Sequence, residues 1–439
     1  MLNKSYFNFA KRIFSWAFVL LLSINYANAQ FLMDLIDTTK DVGKGIVPMH
    51  QKFDHLRISG YMQPQFQIAE SKGAKNYSGG DFAQNVDNRY MLRRGRLKFE
   101  YAIFNKDQPN VQFAFQFDGT ERGVAIRDFW GRFFENKLNC LSVTTGMFAR
   151  PFGYELNLSS SDRESPERGR MSQILMKTER DLGAMLSFEP RKGSKMLKSI
   201  KFDVGFFNGQ GLASTADYDS YKDIISRLAL KPISLHKQLQ LSAGLSYLNG
   251  GFLQNTPYSL AIKQNGTKIE FVADTLAANV QRKVPRKYYG ADCQIKYQYN
   301  TSSTFELRAE YWQGTQSATE ASTETPATLL TEPTYIRNFR GGFLYFLYTL
   351  NKKHQWLMKY DVYDPNTNVA GKQIGAAGAN LGAANIRYAT VGLGYVYYFS
   401  DNLKIVFWYD AINNETTQLA AFAKDVKDDI FTCRLQFRF

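Results

Sequence analysis

Residues 92–101 read LRRGRLKFEY and combine a strand-like apolar pattern with a high positive charge. Successive side chains of a β-strand point to opposite faces, so Leu97, Phe99 and Tyr101 share one face. The other face carries the charged residues Arg94, Arg96, Lys98 and Glu100. If this strand spans a membrane, its charges must face water inside a closed barrel, because a lipid-facing Arg or Lys costs ~2–4 kcal/mol at the midplane. On this pattern Arg93 falls on the outward face, so it must lie near a membrane rim or the face assignment must slip there.

The N-terminus predicts export. A basic segment with Lys4 and Lys11 precedes an apolar run over 13–24, and Ala27 and Ala29 form an A-x-A cleavage motif before Gln30. The apolar run is too short to cross a membrane comfortably as a helix. We therefore expect three parts, which are a signal peptide (1–29), a short periplasmic leader (30–55) and a transmembrane β-barrel (56–439).

The composition suits a β-rich exported protein with an aromatic surface. The chain has 26 Tyr and 34 Phe, but only four His and three Cys. Three cysteines allow at most one disulfide, so a disulfide scaffold is excluded. The formal charge of +14 is spread over the strands without helical clustering, which argues against nucleic acid as a partner. No cofactor or metal site is predicted.

Alternating apolar and polar residues recur along the chain and predict sixteen strands. The predicted strands are 56–68, 90–104, 111–118, 124–135, 139–148, 181–188, 199–208, 222–230, 238–249, 286–299, 303–314, 334–349, 354–363, 385–399, 403–412 and 429–439. Long and short connections alternate between them, apart from a short 119–123, as they do in transmembrane barrels with long extracellular loops and short periplasmic turns. Closure of the sheet also removes the free edge that lipid would not tolerate. The fold class predicted is all-β, a 16-stranded antiparallel transmembrane β-barrel.

The predicted lumen is charged with both signs. Its cations are Arg94, Arg96, Lys98, Lys201, Arg227, Lys296, Arg308, Lys359, Lys404, Arg434 and Arg438, and its acids are Glu100, Asp118, Asp203, Asp292, Glu306, Glu310, Asp361 and Asp410. Eleven cations against eight acids favour anions only modestly. The pore-lining, anion-binding residues that we predict are Arg94, Arg96, Lys98, Arg308, Arg434 and Arg438.

A barrel of this size is wide enough for an aqueous channel and needs something to narrow it. The long segment 149–180 can do so if it folds inward as a constriction loop. Its predicted functional residues are Arg150, Glu155, Arg163, Glu167, Arg168 and Arg170.

Several ordered motifs between about residues 90 and 190 resemble the phosphate-selective porin family of the outer membrane, in its Bacteroidetes type. The motifs are LRRGRL (92–97), GMFARPFGYE (146–155), the Glu-Arg pair 167–168 and RDLG (180–183). The resemblance implies a trimeric 16-stranded channel for small inorganic anions such as phosphate. By resemblance to outer-membrane barrels generally, the strand that ends at Phe439 is the signal read by the barrel assembly machinery. The remainder of the chain agrees only in strand count and aromatic ending.

Three alternatives remain. A mixed lumen also fits a general porin without anion preference. A non-channel outer-membrane barrel, acting as a structural, adhesion or secretion component, would explain the long polar loops equally well. An enzyme is disfavoured, because His50 and His55 precede the first strand and His236 and His354 lie in or beside predicted short turns. The sequence also lacks GxSxG, HExxH, Walker and CxxC motifs.

Overall fold

A computed structural model of the chain describes residues 55–105, 108–214, 216–266 and 268–439. The predicted signal peptide (1–29) and all of the predicted leader (30–55) except His55 lie outside the described residues.

One sheet of 18 strands dominates the described chain. The strands are β1 (Leu56–Ala69), β2 (Asn88–Asn105), β3 (Gln108–Thr120), β4 (Gly123–Phe134), β5 (Leu141–Ala149), β6 (Arg180–Phe188), β7 (Ile200–Phe207), β8 (Asp223–His236), β9 (Leu239–Leu253), β10 (Ser259–Asn265), β11 (Lys268–Asp274), β12 (Lys283–Gln298), β13 (Thr304–Ala318), β14 (Thr334–Leu350), β15 (His354–Asp364), β16 (Tyr388–Ser400), β17 (Leu403–Asn414) and β18 (Ile430–Arg438).

Sixteen of these strands form a closed antiparallel barrel, as the sequence predicts. Consecutive wall strands pair with each other, and β9 pairs directly with β12 across the β10–β11 hairpin. The first strand closes the ring, because β1 pairs with β2 on one side and with β18 on the other. Tyr61 of β1 therefore stands between Arg96 of β2 and Arg438 of β18.

The β10–β11 hairpin is a correction to the sequence prediction, which treated 250–285 as a loop without strands. The hairpin pairs its two strands antiparallel and also pairs the start of β10 with the start of β14 in parallel. Leu260 and Phe271 of the hairpin are buried against Ile374 and Leu381 of the segment between β15 and β16. The hairpin thus depends on a partner distant in sequence, which local alternation does not reveal.

The outer face of the wall is apolar, and aromatic side chains gather at its short-turn end. Phe305 and Tyr348 stack with ring centroids 4.5 Å apart, and Tyr348 lies 5.7 Å from Trp356. His354 stacks on Trp356 at 6.1 Å and hydrogen-bonds to the hydroxyl of Tyr395 at 2.7 Å. Such a belt is typical of the membrane–water interface of a transmembrane barrel.

A β-bulge in β2 changes the expected orientation of Arg93. The register between β1 and β2 shifts between Met62 and Pro64, so Arg93 and Arg94 both stand opposite the single residue Gln63. A bulge of this kind re-aims a side chain. Arg93 consequently binds Glu167 inside the barrel. This corrects the outward position expected from the sequence and shows that the alternation of inward and outward side chains shifts at Arg93.

The described residues contain two short α-helices, α1 (Arg170–Leu175) within the segment between β5 and β6, and α2 (Lys195–Lys198) between β6 and β7. In the described residues no helix has the length and apolar character needed to cross a membrane.

Candidate pore and constriction loop

The segment between β5 and β6, residues 150–179, folds into the barrel and is called the constriction loop below. Its entry is fixed by aromatic packing, because Phe152 stacks edge-on against Trp312 at 4.7 Å and Tyr288 at 6.0 Å. Gly153 follows with a positive φ of 65°, and a Cβ on it would stand 2.1 Å from a carboxylate oxygen of Glu310. The PFG sequence therefore supplies an anchor and the tight turn that follows it.

Wall carboxylates accept hydrogen bonds from the loop backbone. Glu310 of β13 accepts from the amides of Tyr154 (3.0 Å) and Glu155 (2.8 Å). Asp361 of β15 accepts from the amide of Arg170 at the start of α1 (3.2 Å). These bonds satisfy buried backbone donors that a loop inside a barrel would otherwise leave unpaired.

Glu167 forms the first of two charged clusters that hold the loop. Its carboxylate accepts from Arg93 (2.9 Å), from Arg94 (2.5 and 3.0 Å) and from Arg434 of β18 (3.0 Å). Burial would raise the pKa of Glu167, but the three arginines outweigh it and hold that pKa well below the ordinary value. Glu167 is therefore ionised at neutral pH.

Glu179, the last residue of the loop, forms the second cluster. It pairs with Arg127 of β4, with Arg168 of the loop at 3.3 Å and with Arg180 at 3.5 Å. Burial opposes ionisation here too, yet the arginines lower the pKa of Glu179 well below its usual range. Arg127 is an inward-facing residue at a second bulge, where the β3–β4 register shifts between Gln116 and Phe117.

The six predicted pore-lining cations all face the interior, and each is paired with a carboxylate. Arg94 and Arg434 share Glu167, as described. The other pairs are Arg96 with Asp118 (3.0 Å), Lys98 with Glu100 (2.8 Å), Arg308 with Glu164 and Glu306 (both 2.8 Å), and Arg438 with Asp162 (2.8 Å). The structure thus brings these cations together with loop and wall acids rather than leaving them as a free ladder.

The predicted loop residues serve mainly to hold the loop. Glu155 binds Lys359 of β15 at 2.5 Å, and Arg168 donates to the carbonyl of Ser172 at 3.0 Å. Arg170 lies over the ring of Tyr388 at 3.6 Å. Burial lowers the pKa of Arg150, which donates to the carbonyl of Thr178.

Arg163 differs from its neighbours. It is buried, and its Nε and Nη1 have no hydrogen-bond partner among the described residues. Burial lowers its pKa to about 10, and the charge of Arg94 acts in the same direction. The sequence predicted that Arg163 is a charged residue of the loop. It did not predict that two of its guanidinium nitrogens lack hydrogen-bond partners.

Solvent reaches some of the charged side chains inside the wall. Lys98 of β2, Arg127 of β4 and Lys201 of β7 are exposed by 28%, 17% and 29%. Where the constriction loop covers the wall, the cations are buried, with Arg94, Arg308, Lys359 and Arg434 exposed by 7%, 9%, 6% and 3%. The accessible interior cations therefore include side chains of β2, β4 and β7.

Arg132 of β4 is an interior cation that sequence reasoning missed. Its Nε donates to the hydroxyl of Thr144 at 2.7 Å, and its guanidinium lies 5.0 Å from the Trp130 ring centroid. No carboxylate of the described residues forms an ion pair with it, although Asp203, Glu189 and Glu100 are near enough to act on its charge. The bulge at Arg127 breaks the alternation of β4, which is why the facing of this strand was ambiguous from sequence.

Within the described residues, no group of three or more His, Cys, Asp or Glu side chains is arranged to hold a metal ion. His354 belongs to the outer aromatic belt, and His236 is exposed at the end of β8.

Comparison with known proteins identifies the fold. No family model matches the chain, and no curated protein sequence matches it. OprB of Pseudomonas putida, in a high-pH structure, is similar with a TM-score of 0.58 and 9% identity over 91% of this chain and 97% of that one. An anion-selective porin from Comamonas acidovorans gives a TM-score of 0.50 and 10% identity over 88% and 99%. The chain therefore has the closed 16-stranded barrel fold that these proteins share.

Proposed function

We propose that the protein is an outer-membrane porin through which small hydrophilic solutes diffuse passively. One observation carries this proposal, which is the accessible charged surface inside a closed wall whose outer face is apolar. A purely structural barrel has no need for water-accessible charge along its axis. The proposal includes no catalytic role and no cofactor.

An outer-membrane porin has a defined orientation and route of assembly, and we propose both for this protein. The signal peptide is cut before Gln30, residues 30–55 form a periplasmic leader, and the long connections face the cell exterior. The barrel assembly machinery recognises the strand that ends at Phe439. Outer-membrane lipid contacts the apolar wall, and three copies assemble as the resemblance to phosphate-selective porins implies.

We also propose a modest preference for anions, with phosphate as the finer alternative. Of the six predicted pore-lining cations, Lys98 and Arg438 are accessible and contact passing ions under this proposal, whereas the buried Arg94, Arg96, Arg308 and Arg434 act on the pore only through their charge. Because each is paired, their charges act as a screened field rather than as open anion sites. Arg132 supplies a positive charge without a carboxylate partner and is the strongest single contributor. The loop residues Arg150, Glu155, Arg163, Glu167, Arg168 and Arg170 set the width of the opening.

Single-channel recording in planar bilayers tests the function. In a KCl gradient, we expect a stable conductance and a reversal potential that favours chloride. Millimolar phosphate should reduce the chloride current if phosphate binds in the pore. A barrel that does not conduct would overturn the porin proposal and favour a structural, adhesion or secretion role. A cation-selective reversal potential would overturn the anion preference. A chloride current that is unchanged by millimolar phosphate would overturn the proposal that phosphate binds in the pore.

The substitution Arg132→Gln tests the origin of the selectivity. We expect the chloride-to-potassium permeability ratio to move towards unity, because an unpaired interior charge acts at close range on passing ions. The control is Lys263→Gln, which removes the same charge from the exposed β10–β11 hairpin. An equal effect of both substitutions would show that the total charge, rather than Arg132, sets the selectivity.

A further inference from the structure

The outer face of the wall carries exposed basic side chains at the long-loop end of β12–β14. Lys287 of β12 is exposed and points outward, and it stands beside Asn249 of β9 and Thr315 of β13 in the strand register. Arg340 of β14 lies two strands away, beside Gln313 of β13. Two strand spacings and an offset of two residues along the strands separate the two backbone positions by roughly 12 Å.

Directly below these cations the wall becomes aromatic and then apolar. Tyr289 lies two residues beyond Lys287 on the same face, and it is exposed, as is Tyr311 of β13. Below them the outward residues are Cys293, Ala309 and Leu344. Tyrosine at a membrane interface commonly marks the level of the lipid head groups. The basic pair therefore sits immediately above the hydrocarbon boundary.

The height of the pair agrees with this placement. Tyr297 belongs to the short-turn end of β12, and Lys287 lies ten residues before it. Ten residues extend about 33 Å along a strand, or about 25 Å along the barrel axis at an ordinary strand tilt. That distance equals the usual thickness of the apolar band of an outer-membrane barrel, about 25 Å. Lys287 and Arg340 thus reach the second membrane surface.

The two side chains have unused donors. Lys287 has no hydrogen-bond or ion-pair partner among the described residues. Arg340 is 58% exposed and approaches one acid, Asp364, through its Nε at 3.5 Å. Its two terminal nitrogens form no hydrogen bond with the described residues. Between the cations, the Gln313 amide oxygen accepts from the Tyr311 hydroxyl at 3.4 Å and the Thr315 hydroxyl donates to Asn338 at 3.0 Å, so the Gln313 amide nitrogen remains as a further donor. A guanidinium and an ammonium with polar neighbours match the geometry and charge of a phosphate group.

We propose that this surface, formed by Lys287, Arg340, Gln313 and Thr315, binds the phosphate head group of an anionic lipid in the leaflet at the long-loop end. The occupant is a lipid because the site adjoins the apolar wall, where acyl chains pack against Tyr289 and Tyr311. The inference rests on the proposed membrane location, but it does not depend on conduction.

Native mass spectrometry of the intact barrel tests the site. The protein in neutral detergent is offered bisphosphorylated lipid A, the same lipid after removal of its phosphates, or inorganic phosphate. We expect the bisphosphorylated lipid to bind at least about tenfold more tightly than the dephosphorylated one, since each basic group at a membrane surface contributes roughly fivefold. The double variant K287Q/R340Q should lose this difference. The control K195Q/K198Q removes equal charge from exposed positions of α2 and should keep it.

Three results would overturn the proposal. The double variant could retain the phosphorylated lipid as the unmodified protein does, both lipids could bind equally, or millimolar inorganic phosphate could compete with the lipid and so identify a site for free phosphate. Electrophoresis of unboiled samples in the cold confirms that each variant is folded, because the folded barrel then migrates differently from the boiled, unfolded protein. Loss of conductance with intact lipid binding would overturn the porin proposal alone.

Discussion

Glu167 shows at the residue scale how one carboxylate holds a loop inside a barrel. Three arginines from β2 and β18 converge on it, and these two strands lie close together only because β1 pairs with both of them. A buried ion pair is a weak source of net stability, but removing one member leaves uncompensated charge. The cluster therefore specifies where the loop lies more than it adds to the stability of the wall.

The substitution Glu167→Gln should destabilise the barrel, because an amide cannot neutralise Arg93, Arg94 and Arg434. Breaking a buried pair costs roughly 3–5 kcal/mol. We expect the folded band on electrophoresis to disappear after heating to a lower temperature than for the unmodified protein. Asp162→Asn is the control, since its pair with Arg438 is half exposed and such pairs are worth about 0–1 kcal/mol. Equal shifts for both variants would contradict the role of Glu167.

Asp428, in the connection between β17 and β18, predicts a pH dependence. Burial, together with the charges of Asp425, Asp429 and Glu70, raises its pKa to about 7 against the lowering effect of Arg170. The folded state keeps a proton that the unfolded chain releases near pH 4. Stability should therefore fall as the pH rises from about 4 to about 7.

The measurement for Asp428 is the urea midpoint of unfolding at pH 5 and pH 7.5. Asp428→Asn should flatten the difference between the two values, because the amide does not titrate. Asp401→Asn in the exposed turn between β16 and β17 should leave the difference unchanged. A slope that survives Asp428→Asn would assign the pH dependence to another group.

At the scale of elements, two β-bulges supply the arginines that clamp the constriction loop. The bulge in β2 turns Arg93 towards Glu167, and the bulge in β4 turns Arg127 towards Glu179. In each case the extra residue adds a second charged side chain to the lumen face at one level. Irregular strand geometry thus helps to secure the middle of the loop at Glu167 and its end at Glu179.

The double substitution R93Q/R127Q should loosen the loop on the β2–β4 side. We expect trypsin to cleave after Arg163 or Arg168, which are buried in the unmodified protein. Under the porin proposal, single-channel conductance should also rise. Arg122→Gln is the control, because Arg122 is exposed beside the same strands and lies 3.8 Å from Glu121. A loop that stays resistant to trypsin would show that the aromatic anchor at Phe152 suffices.

The wall strands were predictable because lipid contacts one face of a barrel wall and water the other. Apolar and polar side chains therefore alternate along these strands. A bulge shifts the alternation by one residue, which is why the facing of Arg93 and of β4 was not predictable. The β10–β11 hairpin was missed because its apolar residues pack on Ile374, far away in sequence. Sequence indicated the charged loop, but not that Glu167 meets Arg434, since that contact exists only after closure.

At the scale of the whole molecule, the pairing of the first and last strands that closes the barrel includes one close approach, between Gly60 and Phe439. Gly60 of β1 and the terminal Phe439 exchange backbone hydrogen bonds of 3.0 and 3.1 Å. The Phe439 ring lies directly over Gly60, where a Cβ would stand 2.6 Å from the ring and 2.7 Å from the carbonyl oxygen of Arg96. Aromatic cover of a glycine in a neighbouring strand is a known device for pinning register.

The substitution Gly60→Val should therefore impair closure. Because two branched carbons would collide with the ring and with the β2 backbone, we expect a smaller fraction of protein to reach the folded, heat-resistant form during refolding in detergent. Gly382→Ala is the control, as a Cβ at Gly382 meets nothing within 4 Å. Combining Gly60→Val with Phe439→Ala should recover part of the folded fraction by removing the ring. Refolding in detergent excludes the assembly machinery, so a defect there reflects packing at the seam rather than loss of a targeting signal. A Gly60→Val protein that refolds like the control would mean that the seam between β1 and β18 tolerates displacement of Phe439.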